Sequence, residues 1–120
     1  MAALAVSVGE VWDKCSILLI KLKKIKDEGK LAHVRYELSQ MPALDYHHPL
    51  FQELQRVNER LWEVEDLLRV KESRKEFDSE FVELARAVYF TNDRRAEIKK
   101  QINEDFNSAI HEVKDYVSYA

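Results

Sequence analysis

The hydrophobic residues of this chain recur at alternating spacings of three and four over most of its length. Such a spacing keeps one side of a 3.6-residue turn apolar, so it indicates amphipathic α-helices. The longest stripe covers about five turns. Its members are Leu50, Leu54, Val57, Leu61, Val64 and Leu68. The chain is therefore predicted to be all-α.

The N-terminal half carries two shorter helical patterns. Ser7 and Glu10 have the spacing of a capping box, which predicts that the first helix begins there. Gly29 is the predicted stop of this helix, because glycine readily adopts the left-handed conformation found at helix C-termini. A shorter helix is expected next, and it should end before Pro42.

A loop is predicted over residues 41–49, because both prolines of the chain, Pro42 and Pro49, fall within it. It separates the two halves of one helical domain, residues 1–120, since 120 residues suffice for one hydrophobic core but not for two. The pattern leaves open whether residues 1–6 form a strand, pack against the first helix or remain a loose end.

The last long helical pattern contains polar residues. Asp78 is a favourable N-cap, and the apolar stripe behind it is interrupted by Thr91 and Arg95. The interruption predicts either a helix break at residues 91–93 or a buried polar site, because polar groups in a core cost stability unless they are paired. A short C-terminal helix is predicted after Asn107. The predicted fold is an antiparallel bundle of three to four main helices with this short C-terminal helix.

Charge and cysteine content narrow the class of protein. The 19 basic and 22 acidic side chains give a formal charge of −3, which disfavours binding to nucleic acid or to a membrane surface. No apolar run reaches the roughly 20 residues of a membrane span, and the first residues lack the basic start of a signal peptide. Cys15 is the only cysteine. A cytoplasmic location without an intrachain disulfide is therefore expected, and Cys15 is predicted to pack in the core.

A second stripe of mixed polar residues runs beside each apolar stripe. Residues at this spacing share a helix face, so the stripes could converge into one pocket. Cations there would suit an anionic metabolite, and carboxylates could transfer a proton. The alternative is ordinary rim charges in weak interhelical pairs. The candidate polar site consists of Glu10, Asp13, Lys14, Lys21, Asn58, Glu65, Arg69, Asn92, Asp93 and Lys99.

Two other patterns could in principle bind a metal ion. Acidic pairs at i,i+3, such as Glu10 with Asp13, can hold Mg²⁺, and His47 lies beside His48. A chain with 22 acidic residues produces such pairs by chance, however, and adjacent histidines on a loop lack the geometry of a helical metal site. Capping and exposure to solvent are the favoured interpretations, so no metal and no cofactor is assigned.

Four segments carry small, polar and aromatic residues in a specific order. They are Val8-Gly9-Glu10-x-x-Asp13-Lys14, Lys30-Leu31-Ala32-x-Val34, Asn58-x-x-Leu61-Trp62-x-x-Glu65-Asp66 and Tyr89-x-x-Asn92-Asp93-x-Arg95-Ala96-x-x-Lys99. Over residues 6–119 the chain resembles an uncharacterised family of small all-helical proteins of bacteria and some viruses, a domain of unknown function. The resemblance implies a shared fold and a genomic position often near glycosyltransferase or surface-polysaccharide genes. It assigns no catalytic residue.

The function expected from these observations is that of an accessory module that binds other proteins. Long helices in a short chain can leave an apolar face for a partner, so a homodimer is expected, together with a protein partner linked to surface-glycan assembly. The alternative is a small enzyme or binding protein that holds an anionic metabolite between helices through Lys, Arg and Glu. Metal-dependent nucleotide hydrolysis is a third hypothesis, and whether the protein is an enzyme stays open.

Overall fold

A computed structural model describes residues 2–119, and this part of the chain contains four α-helices and no strand. Their bounds are α1 Val8–Lys24, α2 Glu28–Ser39, α3 Pro49–Ser73 and α4 Ser79–Asp105. Helices α3 and α4 form an antiparallel hairpin, α1 packs against both of them, and α2 contacts α1. None of these four helices is long and apolar enough to cross a lipid bilayer. The predicted all-α bundle is confirmed.

Each helix begins at a residue whose side chain accepts a hydrogen bond from a backbone N–H of the first turn. The four N-caps are Ser7, Asp27, His48 and Asp78. The predicted helix starts at Ser7 and Asp78 are confirmed. The capping box is only half formed, because the Glu10 carboxylate pairs with Lys99 instead of turning back to Ser7.

His48 corrects the prediction that both loop histidines face solvent. Its Nδ1 atom accepts a hydrogen bond from the Leu50 N–H at 3.1 Å, so it starts α3 immediately before Pro49. Its ring is half-buried and lies 5.3 Å from the Trp12 ring in an edge-on arrangement. The loop is thereby fixed against α1.

The first helix ends earlier than predicted. Helix α1 stops at Lys24, followed by Ile25 in an extended conformation, and Gly29 lies in the first turn of α2. Asp27 accounts for the difference, because its carboxylate accepts a hydrogen bond from the Lys30 N–H at 2.9 Å and starts a new helix. The prediction that Gly29 stops the first helix is therefore wrong.

The fourth helix is unbroken, and the chain after it is not helical. Helix α4 passes through residues 91–93 without interruption. Residues 106–119 contain no helix, so the predicted short C-terminal helix is wrong. Asn107 closes α4 with a left-handed φ of 52°. The Ser108 hydroxyl accepts a hydrogen bond from the Val8 N–H at 3.2 Å.

The segment before α1 is extended and exposed. Residues 2–6 form neither a helix nor a strand, and Leu4 keeps 86% of its surface exposed. Of the three possibilities for residues 1–6, the strand is excluded and the loose end is observed for the described residues. Met1 lies outside them.

The hydrophobic core lies where α1 packs against the first half of α3 and the last part of α4. Its buried members are Trp12, Cys15, Phe51, Leu54, Ile98 and Ile102. The predicted core position of Cys15 is thus confirmed. By contrast, no side chain between residues 65 and 94 is buried. We call this part of the α3–α4 pair, residues 65–94, the distal hairpin.

Helix α1 approaches α4 very closely at Gly9. A Cβ atom at this position would lie 2.6 Å from the Lys99 carbonyl oxygen and 2.9 Å from Asn103 Oδ1. The Gly9 N–H also donates a hydrogen bond to Asn103 Oδ1 at 2.7 Å. A larger residue would therefore separate the two backbones.

We expect Gly9→Ala to lower the free energy of unfolding by about 1–3 kcal/mol, because the added methyl group overpacks the α1–α4 contact. Urea denaturation measures this change. Gly29→Ala is the matched control, since the nearest atom to its added methyl group is a side-chain oxygen of Asp27 at 3.2 Å. This control should stay within about 1 kcal/mol of the wild type. Equal losses in the two variants would contradict the close-approach argument.

Candidate functional site

A buried carboxylate, Asp13 of α1, lies at the centre of a polar cluster in the core. Only 1% of its surface is exposed. Its Oδ1 accepts hydrogen bonds from the Asn58 amide at 3.0 Å and from Arg95 Nε at 2.9 Å, and its Oδ2 accepts another from the Arg95 guanidinium. The bidentate pair joins α1 to α4, and Asn58 joins α1 to α3.

Lys99 of α4 forms a second ion-pair centre beside Asp13. Its ammonium donates a hydrogen bond to Glu10 Oε2 at 2.8 Å. It also lies 3.0 Å from Glu112 Oε2 and 3.8 Å from Asp13 Oδ2. The side chain is only 9% exposed. Carboxylates from α1 and from the chain after α4 therefore surround one cation.

These ion pairs determine the protonation of both buried groups. Burial alone would raise the pKa of Asp13, but the hydrogen bonds from Arg95 and Asn58 outweigh it and hold this pKa below its ordinary value of 3.8. Burial alone would lower the pKa of Lys99, but the hydrogen bonds to Glu10 and Glu112 reverse this and raise it. Both groups are therefore charged at neutral pH.

The N-terminus of α1 is already occupied by side chains of the protein. The first three backbone N–H groups of the helix donate to the side-chain oxygens of Ser108, Asn103 and Ser7 at 3.2, 2.7 and 3.1 Å. A helix N-terminus binds anions through free N–H groups of this kind. Here these groups instead hold α1 against α4 and the chain that follows it.

Some of the predicted site residues meet in this cluster and others do not. The four that meet are Glu10, Asp13, Asn58 and Lys99. The six that make none of its hydrogen bonds are Lys14, Lys21, Glu65, Arg69, Asn92 and Asp93. Of these, Glu65, Arg69, Asn92 and Asp93 belong to the distal hairpin. Asp93 accepts a hydrogen bond from the Tyr119 hydroxyl.

The predicted anion-binding cations are dispersed. Lys14 pairs with Glu37 of α2 at 2.7 Å. Lys21 lies about 12 Å beyond Asp13 along α1, and Arg69 lies about 16 Å beyond Asn58 along α3. The structure therefore brings neither of them, nor Lys14, to Lys99, and the four cations form no common pocket.

Sequence reasoning assigned no pairing to three members of the cluster. Arg95, noted only as an interruption of the apolar stripe, is the main partner of Asp13, so the buried polar site is the alternative that is realised. Ser16 is fully buried and its hydroxyl accepts a hydrogen bond from the Asn58 amide at 3.1 Å. The i,i+3 spacing of Asp13 and Ser16 could have indicated a shared partner. Glu112, which was also missed, had no comparable signal because its segment is not helical.

The cluster does not have the composition of a metal site. Within residues 2–119 no group of three or more His, Cys, Asp or Glu side chains is placed to hold a metal ion. Glu10 and Asp13, one of the acidic pairs considered for Mg²⁺, both lie within 4 Å of the Lys99 ammonium. That positive charge opposes a second cation at the same carboxylates.

We expect Asp13→Asn to lower the free energy of unfolding at pH 7 by about 3 kcal/mol, because it leaves the partly buried Arg95 guanidinium without its counter-charge. The difference from the wild type should shrink as the pH falls below about 4. The folded pKa of Asp13 lies below the unfolded value, so the stability it contributes is present above that value and is lost on protonation. Urea denaturation between pH 7 and pH 3 measures both effects.

Asp66→Asn is the control for this prediction. It removes an exposed carboxylate of α3 and should change the stability at pH 7 by no more than about 0.5 kcal/mol. If the difference in the free energy of unfolding between the wild type and Asp13→Asn were the same at pH 3 as at pH 7, the charge of Asp13 would not be the cause of the lost stability.

The sequence of the chain matches a known protein family. The model of a family described as a family of unknown function, DUF6165, matches residues 2–119. A search of curated proteins and a search of solved structures each gave no match. The resemblance to a family without an assigned function is thus confirmed. Because the match covers nearly the entire chain, the protein belongs to the DUF6165 family.

Proposed function

We propose that the protein is a helical interaction module that pairs with a second copy of itself through the distal hairpin. The observation that carries this proposal is the lack of any buried side chain between residues 65 and 94, although that segment presents large apolar side chains to solvent. These are Leu67, Val70, Phe77, Val82, Tyr89 and Phe90. Exposed apolar groups of this kind are typical of a binding face. The chain after α4 reaches the distal hairpin at one end, where the Tyr119 ring lies 5.3 Å from the Phe90 ring.

The exposed groups occur on both helices and at their connection. Leu67 and Val70 are three residues apart on α3, and Val82 and Tyr89 are seven apart on α4. Each spacing keeps the two side chains on neighbouring positions of one helix surface. Phe77 lies in the turn between the helices. A partner could therefore contact the full length of the distal hairpin.

The chain exposes more surface than a compact monomer of its size. Its accessible surface is 8581 Å², whereas a typical monomeric protein of 14.2 kDa exposes about 6,800 Å². The radius of gyration is 16.1 Å, against about 13.6 Å for a compact domain of this length. The excess of about 1,800 Å² includes the extended residues 2–6 and 106–119 as well as the distal hairpin, and one partner contributes roughly 800 Å² to a standard interface.

A second copy is the partner that fits this face best. Two helices with one open face need two more helices to complete a four-helix bundle, and the same hairpin of a second copy supplies them across a two-fold axis. Residues 65–94 carry eight acidic and six basic side chains. This near balance means that no strong like-charge repulsion opposes the pairing.

The wider role follows from the sequence resemblance alone. A protein partner in surface-glycan assembly stays a prediction on that basis, and the cytoplasmic location stays a prediction from the single cysteine, Cys15. The dimer is the form in which we expect the protein to meet such a partner, because self-association would occupy the distal hairpin and leave α2 accessible. Tyr36 on α2 is exposed and available for a further contact.

Light scattering on the purified protein over a series of concentrations tests the proposed dimer. We expect the wild type to dimerise and Val82→Glu to be monomeric, because a charge buried in an apolar interface costs several kcal/mol. Tyr36→Glu is the matched control, since Tyr36 is also strongly exposed, at 59%, but lies on α2. This control should keep the size of the wild type. Circular dichroism verifies that all variants remain helical.

Two results would overturn the dimer proposal. One is a wild type that stays monomeric at every concentration. The other is a dimer that neither Val82→Glu nor Leu67→Glu weakens, since its interface would then lie elsewhere. Amide hydrogen exchange tests the location of the interface in the unsubstituted protein. Protection that grows with protein concentration should be confined to residues 65–94.

A further inference from the structure

We infer that the cavity between α4 and the chain after it binds a small phosphate-bearing anion. The cavity has a volume of about 530 Å³, which lies within the range of small-molecule sites. Its charged and titratable lining consists of Lys99, Lys100, His111, Lys114, Glu97 and Glu112. The cavity lies outside the distal hairpin, so this inference does not depend on the proposed dimer.

Lys99 is the preorganised part of this site. Its ammonium is held in the cavity wall by the hydrogen bond to Glu10, and its side chain is largely buried. The ion pair between the buried Asp13 and the partly buried Arg95 lies next to it and joins α1 to α4. A ligand therefore meets a cation whose position is already determined, which lowers the entropy lost on binding.

The carboxylate of Glu112 already pairs with the Lys99 ammonium. Its Oε2 lies 3.0 Å from the Lys99 ammonium, and its Oε1 lies 3.6 Å from the Lys114 ammonium. The hydrogen bond with Lys99 lowers the pKa of Glu112, so the carboxyl is ionised at neutral pH. Glu112 belongs to a non-helical segment and is 41% exposed. An anion from solution can thus take its position while this carboxylate turns outward.

A phosphate group matches the site better than the carboxylate that occupies it. It carries up to two negative charges and three strong acceptor oxygens at neutral pH, so it can accept hydrogen bonds from Lys99 and Lys114 at the same time. Lys100 lines the same cavity and adds a third cation. The remaining carboxylate, Glu97, pairs with Arg94 at 3.2 Å. Its charge is therefore partly neutralised outside the cavity.

Calorimetric titration of the full-length protein with sodium pyrophosphate, at constant ionic strength, tests the inference. We expect saturable binding by the wild type and severalfold tighter binding by Glu112→Gln, because the competing charge is removed. The double variant Lys100→Gln with Lys114→Gln should bind about tenfold more weakly. Lys26→Gln, which removes an exposed cation between α1 and α2, is the matched control and should bind like the wild type.

The inference is overturned if neither the wild type nor Glu112→Gln binds pyrophosphate saturably. It is also overturned if all variants bind with one affinity, since that would indicate a general charge effect. Val82→Glu should bind pyrophosphate as the wild type does. The failure of the dimer and the failure of the anion site would therefore give different results in the two experiments.

Discussion

The burial of one carboxylate, Asp13, is the constraint on which the packed end of this molecule depends. Taking such a charge out of water costs several kcal/mol unless it is paired and fully hydrogen-bonded. The partners come from two other helices, Arg95 on α4 and Asn58 on α3. The cost is offset only when all three helices are in place. The carboxylate thus favours one arrangement of the bundle over other apolar packings of the same stripes.

Gly9 and Asp13 act together to fix the position of α1 along α4. They lie one turn apart on the same helix, and the close backbone approach at Gly9 brings Asp13 within reach of Arg95. If α1 slid by one turn, a residue with a Cβ atom would meet the Lys99 carbonyl and the ion pair would break. The position of the Lys99 ammonium beside Glu10 is a consequence of this register.

Local sequence signals predicted most of the helices, but they did not predict which side chains from different helices contact one another. The caps at Ser7 and Asp78 and the stripe from Leu50 were sufficient to place three helix starts, because capping and periodicity are properties of neighbouring residues. Gly29 was misleading because the stronger signal was the Asp27 cap two residues before it. The predicted C-terminal helix does not form, and the Ser108 hydroxyl instead accepts a hydrogen bond from the N–H of Val8, a residue distant in sequence.

Only part of the candidate site was predicted, because the sequence pattern does not show which helices contact one another. A polar stripe shows which residues share a helix face, but not how much of that face another helix covers. Helix α1 has 17 residues, whereas α3 has 25 and α4 has 27. The stripes converge only over the length that α1 covers, so Asn58 and Lys99 meet it and Glu65 and Arg69 do not. Nothing in the spacing along α4 alone identified Arg95 as the partner of Asp13.

The same mismatch in length explains why the two ends of the hairpin differ in character. At 1.5 Å per residue, α3 and α4 extend more than about 10 Å beyond the length of α1. In that part the turn is held by Lys71, whose ammonium lies 2.8 Å from the Asp78 carboxylate and 3.3 Å from Glu76 and Glu80. Such exposed carboxylates contribute little stability. The distal hairpin thus depends mainly on contacts between its two helices, and Tyr119 of the chain after α4 contacts it at Phe90 and Asp93. A second copy would add the missing layer there.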